Sequence, residues 1–240
     1  MKIASYPTDL TDAQWKVIVV MLPEKKKRGR PRISRREILN AILYIAKGGI
    51  QWRMLPNDFP AWQTVYHVFR KWQREGLWER VNARLRAKVR KRIGKRCRPT
   101  AAILDSQSVK SDPHRGVVGY DAGKRIKGRK RHVLVDTMGL LAQTVPWLEW
   151  LKLIWVDGGY SGSAFATFCR DLKSKLQVEV VKRTDDTKGF AVLPRRWVVE
   201  RTFGWFMQHR RLVRDFETSE SSASAWAYIA MIRIQLNRLA

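Results

Sequence analysis

Three short apolar runs in the second half of the chain each stop at an aspartate: Ala101-Ala-Ile-Leu-Asp105, His132-Val-Leu-Val-Asp136 and Leu153-Ile-Trp-Val-Asp157. Runs of this length and composition suit strands and are too short for helices. A fourth, Val178-Glu-Val-Val181, has no terminal acid, and a helical pattern over 163–176 separates it from the third. A strand, a helix and a second strand in that order form a crossover, which implies parallel pairing. Two further helical patterns, over 194–211 and 222–239, close the chain. The half beginning at residue 100 is thus expected to be a mixed sheet flanked by helices, a mixed α/β (α+β) unit.

The first 99 residues have a different texture and predict an all-helical region. Thr11-Asp-Ala-Gln14 reads as a capping box ahead of Trp15, Ile18, Val19 and Leu22, and Ser34-Arg-Arg-Glu37 as a second ahead of Ile38, Ile42 and Ile45, with Gly48-Gly49 closing that helix. Apolar residues recur at helical spacing from Trp62 to Glu75 and from Leu77 to Ile93, the latter with a heavily basic opposite face. Residues 1–100 hold 25 Lys and Arg against 7 Asp and Glu, so they carry +18 of the formal net charge of +27. A charge of that size exceeds what solubility requires and points to a polyanionic partner, nucleic acid first. The arm Lys25-Lys-Lys-Arg28-Gly-Arg30-Pro-Arg32 is extended by its Gly, Pro and mutual repulsion; either it lies in a DNA minor groove or it is a solvated linker touching phosphates.

Other classes are disfavoured. No apolar run approaches the ~18 residues of a membrane span, the N-terminus has no signal-peptide core, and Cys97 and Cys169 form neither a zinc spacing nor a disulfide framework. A reducing, cytosolic location without membrane contact is expected. An RNA-binding reading has less in its favour, because no aromatic RNA-binding strand or GXXG clamp stands out.

Chemistry in such a sheet gathers at the carboxyl ends of parallel strands. If the strands ending at Asp105 and Asp157 are parallel neighbours, the two carboxylates meet there, and a hard divalent cation relieves their repulsion. Alternatively each acid caps the turn after its strand. Asp136 falls at the opposite edge if its strand runs antiparallel to the first. In Arg195-Arg-Trp-Val-Val-Glu200, Glu200 is the one acid between Asp186 and Asp215, and Arg196 precedes it by one helical turn. Glu200 is then either a third ligand or the partner of Arg196 in an intrahelical ion pair.

Four ordered stretches, ILDSQSVK at 103–110, VGYDAGKRIKGRKRHVLVDTMGLL at 118–141, LIWVDGGYSG at 153–162 and RRWVVERTFGW at 195–205, resemble the DDE transposases of bacterial insertion sequences, in the group typified by insertion sequence five. YPTDLTDAQW, GRPR and ILNAILYIAKGGIQWRMLP resemble that group's helical DNA-binding region, so the likeness spans nearly the whole chain. The resemblance implies a ribonuclease-H-like core at 100–240 after a DNA-binding region at 1–99. It further implies Asp105, Asp157 and Glu200 as catalytic ligands of two Mg2+ ions, with Mn2+ as a substitute. The activity implied is cleavage and joining of double-stranded DNA at the element's terminal inverted repeats and at a target, by a homodimer. DNA contacts are expected from Arg28, Arg30, Arg32, from the basic loop with Lys124, Arg125, Lys127, Arg129 and Lys130, and from Arg196, Arg210 and Arg211.

The chain departs from the family pattern in two places. In the signature Tyr-x2-Arg-x3-Glu-x6-Lys, Arg196 and Glu200 fit, but Leu193 takes the tyrosine position and Met207 the lysine position; His209, Arg210 and Arg211 lie just beyond. Between Leu141 and the second aspartate's strand, family members carry a further strand, a QDRDG-like turn and a helix, whereas residues 142–152 leave room for neither element. Eleven residues can reach ~35 Å, so the sheet can still close. A transposase-derived protein that binds element ends without cleaving them is the alternative function.

Overall fold

The computed structural model describes residues 6–23, 33–112, 117–142, 150–173, 175–181 and 196–240. The basic arm with Arg28, Arg30 and Arg32, and residues 143–149 of the shortened segment, lie outside the described residues.

Four helices precede the sheet: α1 (Asp12–Ile18), α2 (Arg35–Gly48), α3 (Trp62–Arg74) and α4 (Leu77–Arg92). The first box forms as its spacing predicts: the Gln14 amide donates to the Thr11 hydroxyl and the Thr11 amide to the Gln14 side chain, each at 3.2 Å. The second does not form; Ser34 accepts from the Arg36 amide instead of closing on Glu37. α2 ends at Gly49, whose φ of +71° suits glycine. A Cβ there would meet the Arg210 Cβ at 2.8 Å, so the missing side chain also lets α2 abut a later helix.

The sheet comprises β1 (Ala101–Lys110), β2 (Gly119–Asp121), β3 (Ile126–Asp136), β4 (Leu153–Val156) and β5 (Gln177–Val180), in the order β2-β3-β1-β4-β5. β1 runs antiparallel to β3 and parallel to β4, and β4 runs parallel to β5 through α5 (Ser163–Leu172), the expected crossover. Two expectations are corrected. β1 continues five residues past Asp105, so that acid lies within a strand and not at its end; what stops there is the parallel pairing, whose last pair is Leu104 with Val156. The basic loop at 124–131 is a tight turn at 122–125 followed by β3, which already contains Lys127, Arg129 and Lys130.

Alternation along the strands sorts their side chains between two layers. Ile103, Val133, Val135 and Trp155 pack into one core with α4, α6 (Trp197–Met207) and, beyond the single turn of α7 (Arg210–Val213), α8 (Glu220–Leu239). Ala102, Ile154 and Val156 face α5 through Cys169, with Phe165 packed alongside. α8 is the pillar of the first core. Its Trp226 stacks on Phe69 of α3, 4.8 Å between ring centres, and its Gln235 donates to Asn82 of α4, which donates to the Leu141 carbonyl. The core of the N-terminal helices is therefore continuous with one layer of the sheet.

Asp136 lies at the opposite edge, as antiparallel pairing requires, and takes a structural role there. It faces Ala102 across the β1–β3 ladder and is fully buried. Arg90 of α4 pairs with it at 2.6 Å, and the Met138 and Leu140 amides donate to it at 2.8 and 3.0 Å. Arg86 beside this pair donates to the Leu141 carbonyl, and burial pushes its pKa down to about 9 against the opposing pull of Asp136.

Candidate active site and nucleic-acid interface

The parallel register Leu104 to Val156 sets Asp105 and Asp157 side by side at the next position. Asp105 has the parity of Ile103 and so points toward α6. Asp157 leads a 3-10 turn at Gly158–Tyr160, capping it by accepting from the Gly159 amide at 2.9 Å. The ligand and cap readings of Asp157 are therefore compatible: Oδ1 takes the amide while Oδ2 faces Arg196.

Arg196 closes the site. One nitrogen, Nη2, lies 3.5 Å from Asp105 Oδ2 and 3.9 Å from Asp157 Oδ2. The two strand acids thus converge on one cationic point, and the intrahelical pairing of Arg196 with Glu200 gives way to it. Glu200 is exposed on the first turn of α6. Among the described residues no three His, Cys, Asp or Glu side chains gather closely enough to hold a metal ion. Asp105 and Asp157 fit a hard divalent cation by donor type and convergence, both carboxylates facing the one guanidinium. Glu200 does not join them in this arrangement.

Two side chains that the sequence did not single out complete the neighbourhood. His132 lies opposite Ser106 in the antiparallel ladder, and its Nδ1 is 2.5 Å from the Tyr160 hydroxyl. Tyr160 is held above the usual tyrosine pKa, first by burial and then by the charges of Asp105 and Asp157, while a hydrogen bond with Ser106 opposes the shift. The hint was Tyr160 itself, three residues after Asp157; the ladder register that brings His132 to it is not readable from spacing.

The expected DNA-contacting cations divide. Lys124, Arg125, Lys127 and Arg210 are exposed, and Lys130 is exposed with Asp121 at 3.9 Å. Arg129 pairs with Asp215 at 3.2 Å and donates to the carbonyls of Val117, Glu217 and Thr218, fastening β3 to the loop before α8. Arg211 pairs with Glu217 and donates to the Ile50 carbonyl at 3.0 Å. Both are built into the fold, because each lies where acceptors from two or more segments converge.

Comparison with known proteins bears on the same residues. Residues 96–234 match the family model "Transposase DDE domain" and residues 10–82 match "Putative transposase of IS4/5 family". The chain belongs to the DDE transposases of the IS4/5 family. It is 32% identical over 109 residues to "Insertion element IS402 uncharacterized 16.2 kDa protein" of Burkholderia cepacia, covering 42% of this chain and 73% of the relative. It is 35% identical over 76 residues to "Uncharacterized protein y4sN" of Sinorhizobium fredii, covering 31% and 60%. No solved structure matches the chain significantly. Among the described residues no helix is long and apolar enough to cross a membrane.

Proposed function

We propose that this transposase binds the ends of its insertion sequence as a homodimer and catalyses metal-dependent phosphodiester hydrolysis and strand transfer. The observation that carries the reading is the convergence of Asp105 and Asp157 on one nitrogen of Arg196 at the carboxyl edge of two parallel strands. Asp105 and Asp157 would hold Mg2+, or Mn2+, with Glu200 as the third ligand. A bound divalent ion there would supply charge neutralisation of the attacked phosphate and a lowered pKa for the attacking oxygen. With a divalent ion held by the acids, the Arg196 guanidinium would be free to donate to a phosphate oxygen, its natural acceptor. Tyr160, kept protonated, offers a neutral donor beside the acids. Exposed Lys124, Arg125, Lys127 and Lys130 border the same sheet and suit phosphate contacts.

The test is nicking of a duplex bearing the element's ends in the presence of Mg2+. Asp105→Asn and Asp157→Asn should each cut the rate at least ~1000-fold, since each removes a charge that a divalent site requires, and should leave DNA binding within about twofold. Parent-like nicking by either variant would remove these residues from the chemistry. A second reading, end binding with little cleavage, is favoured by the outward position of Glu200 and by the shortened segment at 142–152. Under it the parent binds ends but nicks them no faster than Asp105→Asn does.

A further inference from the structure

Between Glu79 and Asp105 the chain has no acid and ten Lys or Arg, and α4 sorts them by direction. Arg86 and Arg90 turn inward to the Leu141 carbonyl and Asp136. Arg80, Arg84, Lys88 and Lys91 are exposed at spacings of four, four and three, which align them in one stripe along the helix. Arg80 donates to the Glu75 carbonyl at the end of α3, and none of the four is ion-paired among the described residues. Like charges four residues apart destabilise a helix, and the one acid at its start, Glu79, lies beside Tyr228. A face kept in this state calls for an external polyanion.

The eleven helical steps from Arg80 to Lys91 rise roughly 17 Å, which matches about five phosphates at 3.4 Å per nucleotide along one strand of duplex DNA. We infer that the outer face of α4 is a phosphate track for duplex DNA, separate from the acid site. The separation follows from topology. α4 hands over to the start of β1, where Arg98 stacks on Trp150 at 3.8 Å just ahead of β4. Asp105 and Asp157 lie four strand residues beyond this handover, roughly 13 Å along β1 from the Lys91 end of the stripe. At that end the track holds duplex outside the acid site. It contains no aromatic or amide side chain, so it grips backbone without reading sequence.

This inference rests on the transposase reading, and its test is independent of cleavage. Binding of the full chain to a 30-base-pair duplex of arbitrary sequence is measured by fluorescence anisotropy across KCl concentrations, without metal. Replacing Arg80, Arg84 and Lys88 by alanine should make the log–log salt dependence shallower by about 2.7, at ~0.9 per phosphate. Alanine favours helix, so the far-ultraviolet dichroism and melting temperature should hold. An equal loss of charge around α5, in K152A/R170A/K175A, should keep the parent slope. An unchanged slope in the α4 variant, or an equal loss in both variants, overturns the track. A loss seen with a single-stranded 30-mer and not with the duplex reassigns the stripe to unpaired DNA and overturns it as stated. Asp105→Asn should keep the parent slope, so nicking by that variant would sink the chemistry and leave the track standing.

Discussion

Asp136 and Asp105 offer a direct contrast between an acid locked in a fully buried ion pair and one in a partly open cluster. Asp136 is paired with Arg90 at 2.6 Å, with side-chain exposures of 0% and 6%. Asp136→Asn keeps the shape but leaves the Arg90 guanidinium buried without a counter-charge, and Arg86 loses the charge opposing its burial. Breaking a buried pair from one side costs about 3 to 5 kcal/mol. At about 2 to 4 °C per kcal/mol for a chain of this length, the melting temperature should fall by about 6 to 20 °C. Asp105→Asn differs because Arg196 keeps Asp157 and the site is partly open, with side-chain exposures of 11% for Asp105, 23% for Arg196 and 27% for Asp157. Its effect should stay within about 1 kcal/mol. Thermal unfolding followed by circular dichroism decides, with Arg90→Met/Asp136→Asn as the double variant that should recover part of the loss. An Asp136→Asn melt within 2 or 3 °C of the parent (about 1 kcal/mol on the same scale), or an equal fall in Asp105→Asn, would refute the division.

Three other outcomes are expected. Gly139 has φ +77°, and a Cβ there would meet the Thr202 hydroxyl at 2.7 Å and Trp205 at 3.1 Å; Gly139→Ala should cost about 1 to 3 kcal/mol by denaturant melt and shift α6, lowering any Mg2+-dependent nicking. Burial holds Tyr160 and Tyr228 above the ordinary tyrosine pKa, so their stabilising share is whole below that value and lost as pH rises through the folded pKa; absorbance at 295 nm should show late titration, and Tyr160→Phe should remove one of the late groups. Restoring ~25 to 30 residues of strand and helix between Leu141 and Leu153, a length within the usual range of such a connection, should raise the nicking rate with little change in binding; full-rate cleavage by the chain as it stands would show those elements to be dispensable.

Much of the layout was legible because strand, helix and crossover patterns are local. The parallel pairing of β4 with β5 followed from one crossover, whereas Asp105 and Asp157 as neighbours, and Asp136 at the far edge, stood as conditions on strand pairing that the ladders meet. The full length of β1 was not legible, because Ser106, Gln107, Ser108 and Lys110 are strand only through pairing with β3. Arg129 and Arg211 read as DNA-contacting cations since their acceptors, the carbonyls of 217–218 and of Ile50, are distant in sequence. The direction of Arg196 was open for the same reason: Glu200 is its neighbour in sequence, whereas Asp105 and Asp157 are its neighbours in space.

The position of α8 ties these parts together. It is the last helix of the chain, yet it fills the core of the N-terminal helices through Trp226 and touches the sheet layer through Gln235, Asn82 and Leu141. α4 is held between that helix and the Arg90–Asp136 pair, so its basic outer face is fixed relative to β1 and β3. DNA gripped by α4 would consequently be held in register with the strand carrying Asp105. Phosphate contacts by long side chains tolerate an ångström of play, but ligation by carboxylates does not. The rigid link through α8 therefore matters more for chemistry than for binding, and a variant that loosens α8 at Gln235 should lose cleavage before it loses DNA.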